Sequence, residues 1–371
     1  MSDDKLTAVV IGLGGFGSSI FSALDACEDV EIVGVSDRDQ ALAEQTGRSI
    51  DTPYYCDNRS LLAETKPQVA FLCVPPMVAP ELVSACAKRG IHVWKDLPLA
   101  RNLDEGVAMV QQMDSASLKF AIGTQWRFAP GYSRAVHISD TLEQILIIRG
   151  QYFFNWGSEL GWRSDKTSAG GGALLELGYH PVDTLLAIKG LPEEVYGMAA
   201  TANTKINTSL PGIAHTQPPH DTDDSAAGIL RYRDGTMATI ITCRTSGPFS
   251  GELTIHSPTA TILANFDSCT VRGPDGNTID HFSDAAGPAG VFSRQIESFV
   301  NAIRNDEQLY MCSARENLLN LAVLDAIYLS DQTRHVERPT SLLEAHKLDE
   351  TKCLIHRPPA TAGPELQLPQ E

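Results

Sequence analysis

Positive charge is scarce in this chain. Lysine and arginine number 29 against 46 aspartates and glutamates, a net charge of −17, which repels phosphate backbones and anionic lipid headgroups and argues against nucleic acid or a membrane surface as partner. None of the eight cysteines forms a Cys-x-x-Cys pair, and no cysteine/histidine cluster has zinc-ligand spacing, so no metal site is expected. Cysteines scattered in this way suit a reducing cytoplasm. The opening Met-Ser-Asp-Asp-Lys-Leu lacks the basic region or twin arginines of an export signal. A charge-free run of nineteen residues, Leu6 to Leu24, has the length of a membrane span, but four glycines and three serines interrupt it. A strand, a turn and a helix account for it better. What is present is the composition of an ordinary globular protein, 43% hydrophobic and 20% charged over 371 residues, long enough for two hydrophobic cores.

The N-terminal stretch supplies each part of a dinucleotide-binding unit in order. A buried strand, Ala8 to Ile11, leads into Gly-x-Gly-x-x-Gly at Gly12, Gly14 and Gly17, with Phe16 inside the pattern. A helix with Ile20, Leu24 and Cys27 on one face follows, then a second strand, Ile32 to Ser36, closing on Asp37. Glycine is needed where the turn demands positive φ and where a pyrophosphate must reach bare backbone N–H groups at the positive end of a helix. Asp37 lies twenty residues past Gly17, where a carboxylate accepts hydrogen bonds from a ribose 2′-hydroxyl and repels a 2′-phosphate. This favours NAD, while Arg38 beside it leaves NADP open. Strand and helix patterns then alternate through "PQVAFLCVPP", which ends on Pro75 and Pro76, "ELVSACAKRG", "IHVWKDLP" and "NLDEGVAMVQQM". That alternation predicts a doubly wound parallel sheet with its ligand at the carboxyl ends of the strands.

After "FAIGTQWRFAP" the pattern changes to alternating or continuous apolar runs, with "RDGT" as a hairpin turn, and predicts a largely antiparallel sheet. Helices over Ala173 to Lys189, in "FSRQIESFVNAI" and in "ARENLLNLAVLDAIYLSD" are available to cover one face. The other face calls for a homodimer or homotetramer. The reading is therefore α/β throughout: a first domain over 1–126, a second over 127–356, and a flexible tail over 357–371. Asn203 to Asp224 reads as a long loop.

The order of "GLGGFG", the Asp37 terminus, "CVPP", "HVWKDLPLA", "WRSDKTSAGGGALLELGYHPVD" and "FSRQIESFVNAI" resembles the glucose–fructose oxidoreductase and inositol dehydrogenase (Gfo/Idh/MocA) family across nearly the whole chain. The resemblance implies a Rossmann domain followed by an open-faced α/β domain, a nicotinamide cofactor held near Gly12, Gly14, Phe16, Gly17, Asp37, Arg38, Pro75 and Asp96, and a sugar or polyol substrate. The family's Glu-Lys-Pro corresponds to Asp96, Leu97 and Pro98, so the lysine is absent, and the Leu97–Pro98 bond is expected to be cis. The family's acid, three residues and histidine correspond to Glu176 and His180.

Oxidising an alcohol needs a group that takes the hydroxyl proton as hydride leaves, and histidine suits this near neutral pH. His180 is the expected acid/base, with Glu176 four residues earlier to orient it and Lys95 as an auxiliary if its side chain crosses to the site. The alternative for Lys95 is an ion pair at the domain edge. Arg127, Arg163 and Asp183 are candidates to bind substrate hydroxyls or carboxylates. Each arginine could equally be a surface residue stacked on its neighbouring tryptophan, Arg163 above all, and Asp183 could be a helix-surface acid. Tyr179 stands beside His180 with no separate argument. Two rivals remain beside an NAD-dependent dehydrogenase: a redox-neutral lyase or hydrolase that oxidises transiently with retained NAD, and a non-catalytic NAD-binding partner or sensor.

Overall fold

The computed structural model describes residues 5–157, 159–201, 220–285, 287–353 and 355. The first core is built on six strands: β1 (Leu6–Ile11), β2 (Val30–Ser36), β3 (Tyr54–Tyr55), β4 (Val69–Leu72), β5 (His92–Asp96) and β6 (Phe120–Gly123). They form one parallel sheet in the order β3-β2-β1-β4-β5-β6. β4 and β6 are buried at every residue, as a sheet covered on both faces requires. Strand order reverses between β1 and β4, so the turns after those two strands flank the crevice where open α/β sheets bind ligands. Helix starts are fixed locally: Asp39 accepts from the Ala41 and Leu42 N–H groups, and Asn102 from that of Glu105.

The helix Gly287–Arg304 returns from far along the chain to this first core. Its Ile296, Phe299 and Val300 pack with Ile20 and Leu24, and Phe292 meets Phe16 edge-on at 5.0 Å. Residues 287–304, which sequence order groups with the second domain, thus help to bury the first.

The second sheet comprises β7 (Ile147–Phe153), β8 (Glu194–Ala200), β9 (Ser225–Arg231), β10 (Met237–Cys243), β11 (Ser250–His256), β12 (Thr261–Ala264), β13 (Ser268–Arg272) and β14 (Thr278–Ser283). Its order is β14-β13-β12-β11-β7-β10-β9-β8, antiparallel except where β7 meets β10. Along β9, Ala226, Gly228 and Leu230 point inward while Ala227, Ile229 and Arg231 face out. Helices Tyr179–Lys189 and Asn317–Thr333 lie on the inner face. Gly150 lets the first of them sit directly on β7, since a Cβ there would stand 2.8 Å from that of Pro181.

One expectation is corrected. The helix foreseen over Ala173 to Lys189 is two helices, Ala173–Glu176 and Tyr179–Lys189, and Pro181 fits the first turn of the second, where its missing N–H has no helical partner to lose. Of the loop foreseen over Asn203 to Asp224, residues 202–219 lie outside the described residues, and 220–224 carry neither helix nor strand, as expected of a loop, yet bond into the core. Asp223 accepts from Gly172 N and Tyr328 Oη, both at 2.7 Å, and Asp224 is buried between Arg244 and His220. The tail 357–371 also lies outside the described residues.

Candidate active site

The glycine turn has two kinds of position. A Cβ at Gly12, where φ is +89°, would stand 2.2 Å from the Cys73 carbonyl oxygen, and one at Gly17 would stand 2.0 Å from that of Gly12. These two glycines let β1, β4 and the helix Phe16–Asp25 close on one another. Gly14 is different, for a Cβ there would meet nothing within 4 Å. That open position, exposed beside the first turn of a ten-residue helix, fits an approaching pyrophosphate. At the end of β2 the Asp37 carboxylate accepts from Leu13 N at 2.8 Å and Asp39 N at 2.9 Å, which fixes it against the turn. Arg38 is exposed next to it, and Pro75 follows β4 on the same edge. The residues present therefore fit a dinucleotide.

At the end of β5 the Leu97–Pro98 bond is cis. Lys95 does not cross to the cleft, nor does it take the edge ion pair. It is fully buried, and its Nζ donates to the Asp96 carbonyl at 2.8 Å and the Pro98 carbonyl at 2.6 Å, bracing the turn from within. Burial pushes its ammonium below the ordinary lysine range, with Asp96 opposing. Tyr179, also buried, accepts from Leu99 N at 3.4 Å and donates to Asn317 Oδ1 at 2.9 Å, tying the same turn to the second domain. Leu97 is half-buried against the large core, so an apolar side chain fills the place the resemblance gives to lysine.

His180 is 5% exposed. Its ring stacks on Trp126 with centroids 5.7 Å apart and meets the edge of Tyr152 at 5.4 Å. Its Nδ1 is enclosed with no hydrogen-bond partner among the described residues. Burial pulls its pKa down to about 3, so the ring is neutral near pH 7. The support expected from Glu176 is absent. The helix is interrupted at Leu177 and Gly178, and Glu176 instead accepts from Arg163 Nε, while burial raises its carboxyl against the pull of that arginine.

The expected substrate binders are also accounted for by protein partners. Arg163 lies between Trp156 and Trp162, at 4.1 and 4.3 Å from their ring centroids, which is the stacked alternative. Arg127 and Asp183 bond each other, Nε to Oδ2 at 2.7 Å and Nη2 to Oδ1 at 3.1 Å, with Asn320 donating to Oδ1 at 3.1 Å. Their side chains are 1% and 0% exposed, so Asp183 is no helix-surface acid. Asp96 remains half-buried at the tip of β5. Burial raises its carboxyl, while Lys95 and Arg163 act the other way. Trp126 and Tyr152, which pack against the His180 ring, were not singled out by the sequence. Each is one aromatic among many until β7 and the turn Gln125–Arg127 bring it to the imidazole. Among the described residues no group of three metal-ligating side chains occurs, and no helix is long and apolar enough to cross a membrane.

A parallel dinucleotide sheet joined to an open-faced sheet, with the histidine at their junction, defines an oxidoreductase of the nicotinamide-binding class. Residues 6–124 match the model of the oxidoreductase family with an NAD-binding Rossmann fold, and residues 134–263 match that of the GFO/IDH/MocA C-terminal domain. The chain belongs to the Gfo/Idh/MocA family, and its first domain is an NAD-binding domain. Among its relatives, D-xylose 1-dehydrogenase (NADP(+)) 2 of Haloferax volcanii is 22% identical over 87% of this chain and 97% of that protein. Levoglucosan dehydrogenase of Pseudarthrobacter phenanthrenivorans is 23% identical over 57% of this chain and 58% of that protein. The solved structure of levoglucosan dehydrogenase with NADH and levoglucosan superposes with a TM-score of 0.80 at 19% identity, covering 90% of this chain and 99% of that one.

Two outcomes are expected. Gly14→Val, placed in open space, should leave folding stability within about 0.5 kcal/mol yet lower NAD affinity about tenfold or more by blocking the backbone, whereas Gly17→Ala should cost about 1–3 kcal/mol of stability. Denaturant titration and calorimetry with NAD check both; equal NAD binding by Gly14→Val would contradict the placement of the pyrophosphate. The second concerns pH. Folded His180 titrates at about 3 against the ordinary 6.5, so between these values the unfolded chain binds the extra proton. Stability should then fall as pH drops through that window, by up to about 1.4 kcal/mol per pH unit from this group. His180→Phe should lose stability less steeply than the wild type between about pH 6.5 and about pH 4, as measured by urea midpoints across that range.

Proposed function

We propose that this protein is an NAD-dependent oxidoreductase acting on a secondary alcohol, or the corresponding carbonyl, of a sugar, polyol or derivative. The observation that carries the reading is the open Gly14 position beside a fixed Asp37 carboxylate, on the same strand edge that presents the Asp96 turn toward the histidine domain. The names of the family relatives, a xylose and a levoglucosan dehydrogenase, support the substrate class. When bound, the nicotinamide supplies the two-electron acceptor or donor. The chain's own part is to hold the reacting oxygen and keep water away from it. Enclosure of His180 Nδ1 leaves Nε2 as the ring nitrogen available to a ligand, and Trp126 and Tyr152 wall it with apolar surface. Arg163, fixed between two tryptophans and bonded to Glu176, presents a rigid polar rim. Arg127 and Asp183 act through position, since their bond ties the turn after β6 to the helix of His180. Asp37 supports NAD over NADP.

With NAD and a panel of sugars and polyols, the wild type should produce NADH, and His180→Ala should lower kcat/KM about 10²–10³-fold, the usual loss of one preorganised hydrogen-bond donor. Retained cofactor with turnover but no net NADH would favour the redox-neutral alternative. NAD binding without any turnover would favour a binding role.

The outer face of the second sheet exposes Tyr196, Met198, Ile229, Met237 and Ile241 on three adjoining strands, each at least 37% exposed. Such a patch is stable in water only when covered, and a two-fold pairing of this face on itself covers it most simply. Light scattering at micromolar concentration should give a dimer or tetramer, and Ile229→Lys with Met237→Lys should shift it toward monomer. A monomeric wild type would contradict this assembly.

A further inference from the structure

A dehydrogenase needs a group to exchange the hydroxyl proton, and most obvious donors and acceptors at this site are already committed. Leu97 stands where the resemblance places lysine. Lys95 Nζ is enclosed and spends two hydrogen bonds on the carbonyls of its own turn. His180 is also poorly placed to act as a base. A buried N–H without an acceptor costs more than an unused lone pair, so the neutral ring keeps its proton on Nε2 and offers a donor to the cleft. To take a proton at Nε2 it would need Nδ1–H, which has no acceptor among the described residues, and the imidazolium formed would lack a carboxylate partner because Glu176 is bonded to Arg163. Tyr152, half-buried, has its hydroxyl pushed up to about 12 by burial.

Asp96 is left. It sits at the carboxyl tip of β5 and is half-buried. Titratable groups face it from each neighbouring element, Lys95 on its own strand, the neutral Cys73 thiol at the end of β4, and Arg163 and Glu176 across the domain junction, and its carboxylate accepts from the Leu97 N–H. We propose that the Asp96 carboxylate is the catalytic residue that exchanges the substrate's hydroxyl proton, with His180 Nε2–H holding the same oxygen. The inference rests on the oxidoreductase reading. In the oxidative direction the O–H bond breaks and its proton passes to a carboxylate oxygen of Asp96. The carbonyl forms as the C–H bonding pair leaves as hydride to an oxidised nicotinamide. Asp96 then gives the proton to solvent through its exposed side. Burial raises its carboxyl toward neutrality, which makes it a better acceptor than a free carboxylate, and the Lys95 brace holds it in place.

The test uses the full chain, NAD, and a sugar or polyol that the wild type turns over. Asp96→Ala should lower kcat about 10²–10⁴-fold, and formate, a small carboxylate able to enter the vacated space, should restore about tenfold or more of that loss. A merely structural Asp96 would not be rescued. A second readout needs no turnover. A cationic ring bound at the strand edge favours the charged carboxylate, so NAD binding should release protons, seen by calorimetry in two buffers of different ionisation enthalpy, in the wild type but not in Asp96→Asn. Absence of formate rescue together with unchanged proton release in Asp96→Asn would overturn the assignment. If Asp96→Ala does not fold, Asp96→Asn and the calorimetry decide alone. A chain that binds no NAD sinks the oxidoreductase reading itself, whereas one that reduces NAD with Asp96→Asn at the wild-type rate sinks only this inference.

Discussion

The buried ion pair between Arg127 and Asp183 is the constraint on which the site depends. Arg127 sits in the turn that leaves β6, the last strand of the cofactor sheet, and Asp183 lies one turn along the helix that carries His180. Two hydrogen bonds and a third from Asn320 join these elements to the helix Asn317–Thr333. The full geometry matters because neither charge has water to fall back on. Removing one partner of such a pair generally costs about 3–5 kcal/mol, far more than the intact pair contributes, since the other charge is left buried. The two domains are thus held in one relation, and the histidine is held against the aromatic rings that desolvate it.

The same bookkeeping of charge explains why the site differs from a list of its polar residues. Glu176 neutralises Arg163, Asp224 lies between Arg244 and His220, and Asp223 satisfies the backbone N–H groups that begin the helix Ala173–Glu176. Each pairing makes a rigid wall and removes a titratable group from chemistry. The imidazole and the Asp96 carboxylate form no such ion pair among the described residues, and burial pushes each toward its neutral form.

Close approach is the second organising principle. Gly12 and Gly17 bring strand and helix together at the cofactor turn, and Gly150 and Gly197 let helices rest on the second sheet, where a Cβ at Gly197 would stand 2.4 Å from Ile327. Gly14 alone among the three motif glycines faces open space. Glycines that look alike in the motif therefore divide into those serving the fold and one available to a ligand.

The local rules were legible in the sequence itself. Apolar strands, the glycine turn, Asp37 at the end of β2 and the period-two pattern of β9 and β10 each depend on neighbours within about a dozen residues, and the parallel dinucleotide sheet, the antiparallel second sheet and the NAD-binding class followed from them, while the open face came through the family resemblance. The cis Leu97–Pro98 bond was foreseen only through the family resemblance. Partnership was not legible. Glu176 and His180 are four apart, yet a helix break separates them and Arg163 takes the acid. Lys95 shares a strand with Asp96 but turns inward to its own backbone. Arg127 finds Asp183 across 56 residues, and the helix Gly287–Arg304 crosses back to the first core. Which charge meets which, and so which groups remain free for chemistry, is decided by long-range packing and desolvation, and these exist only once the tertiary structure has excluded water.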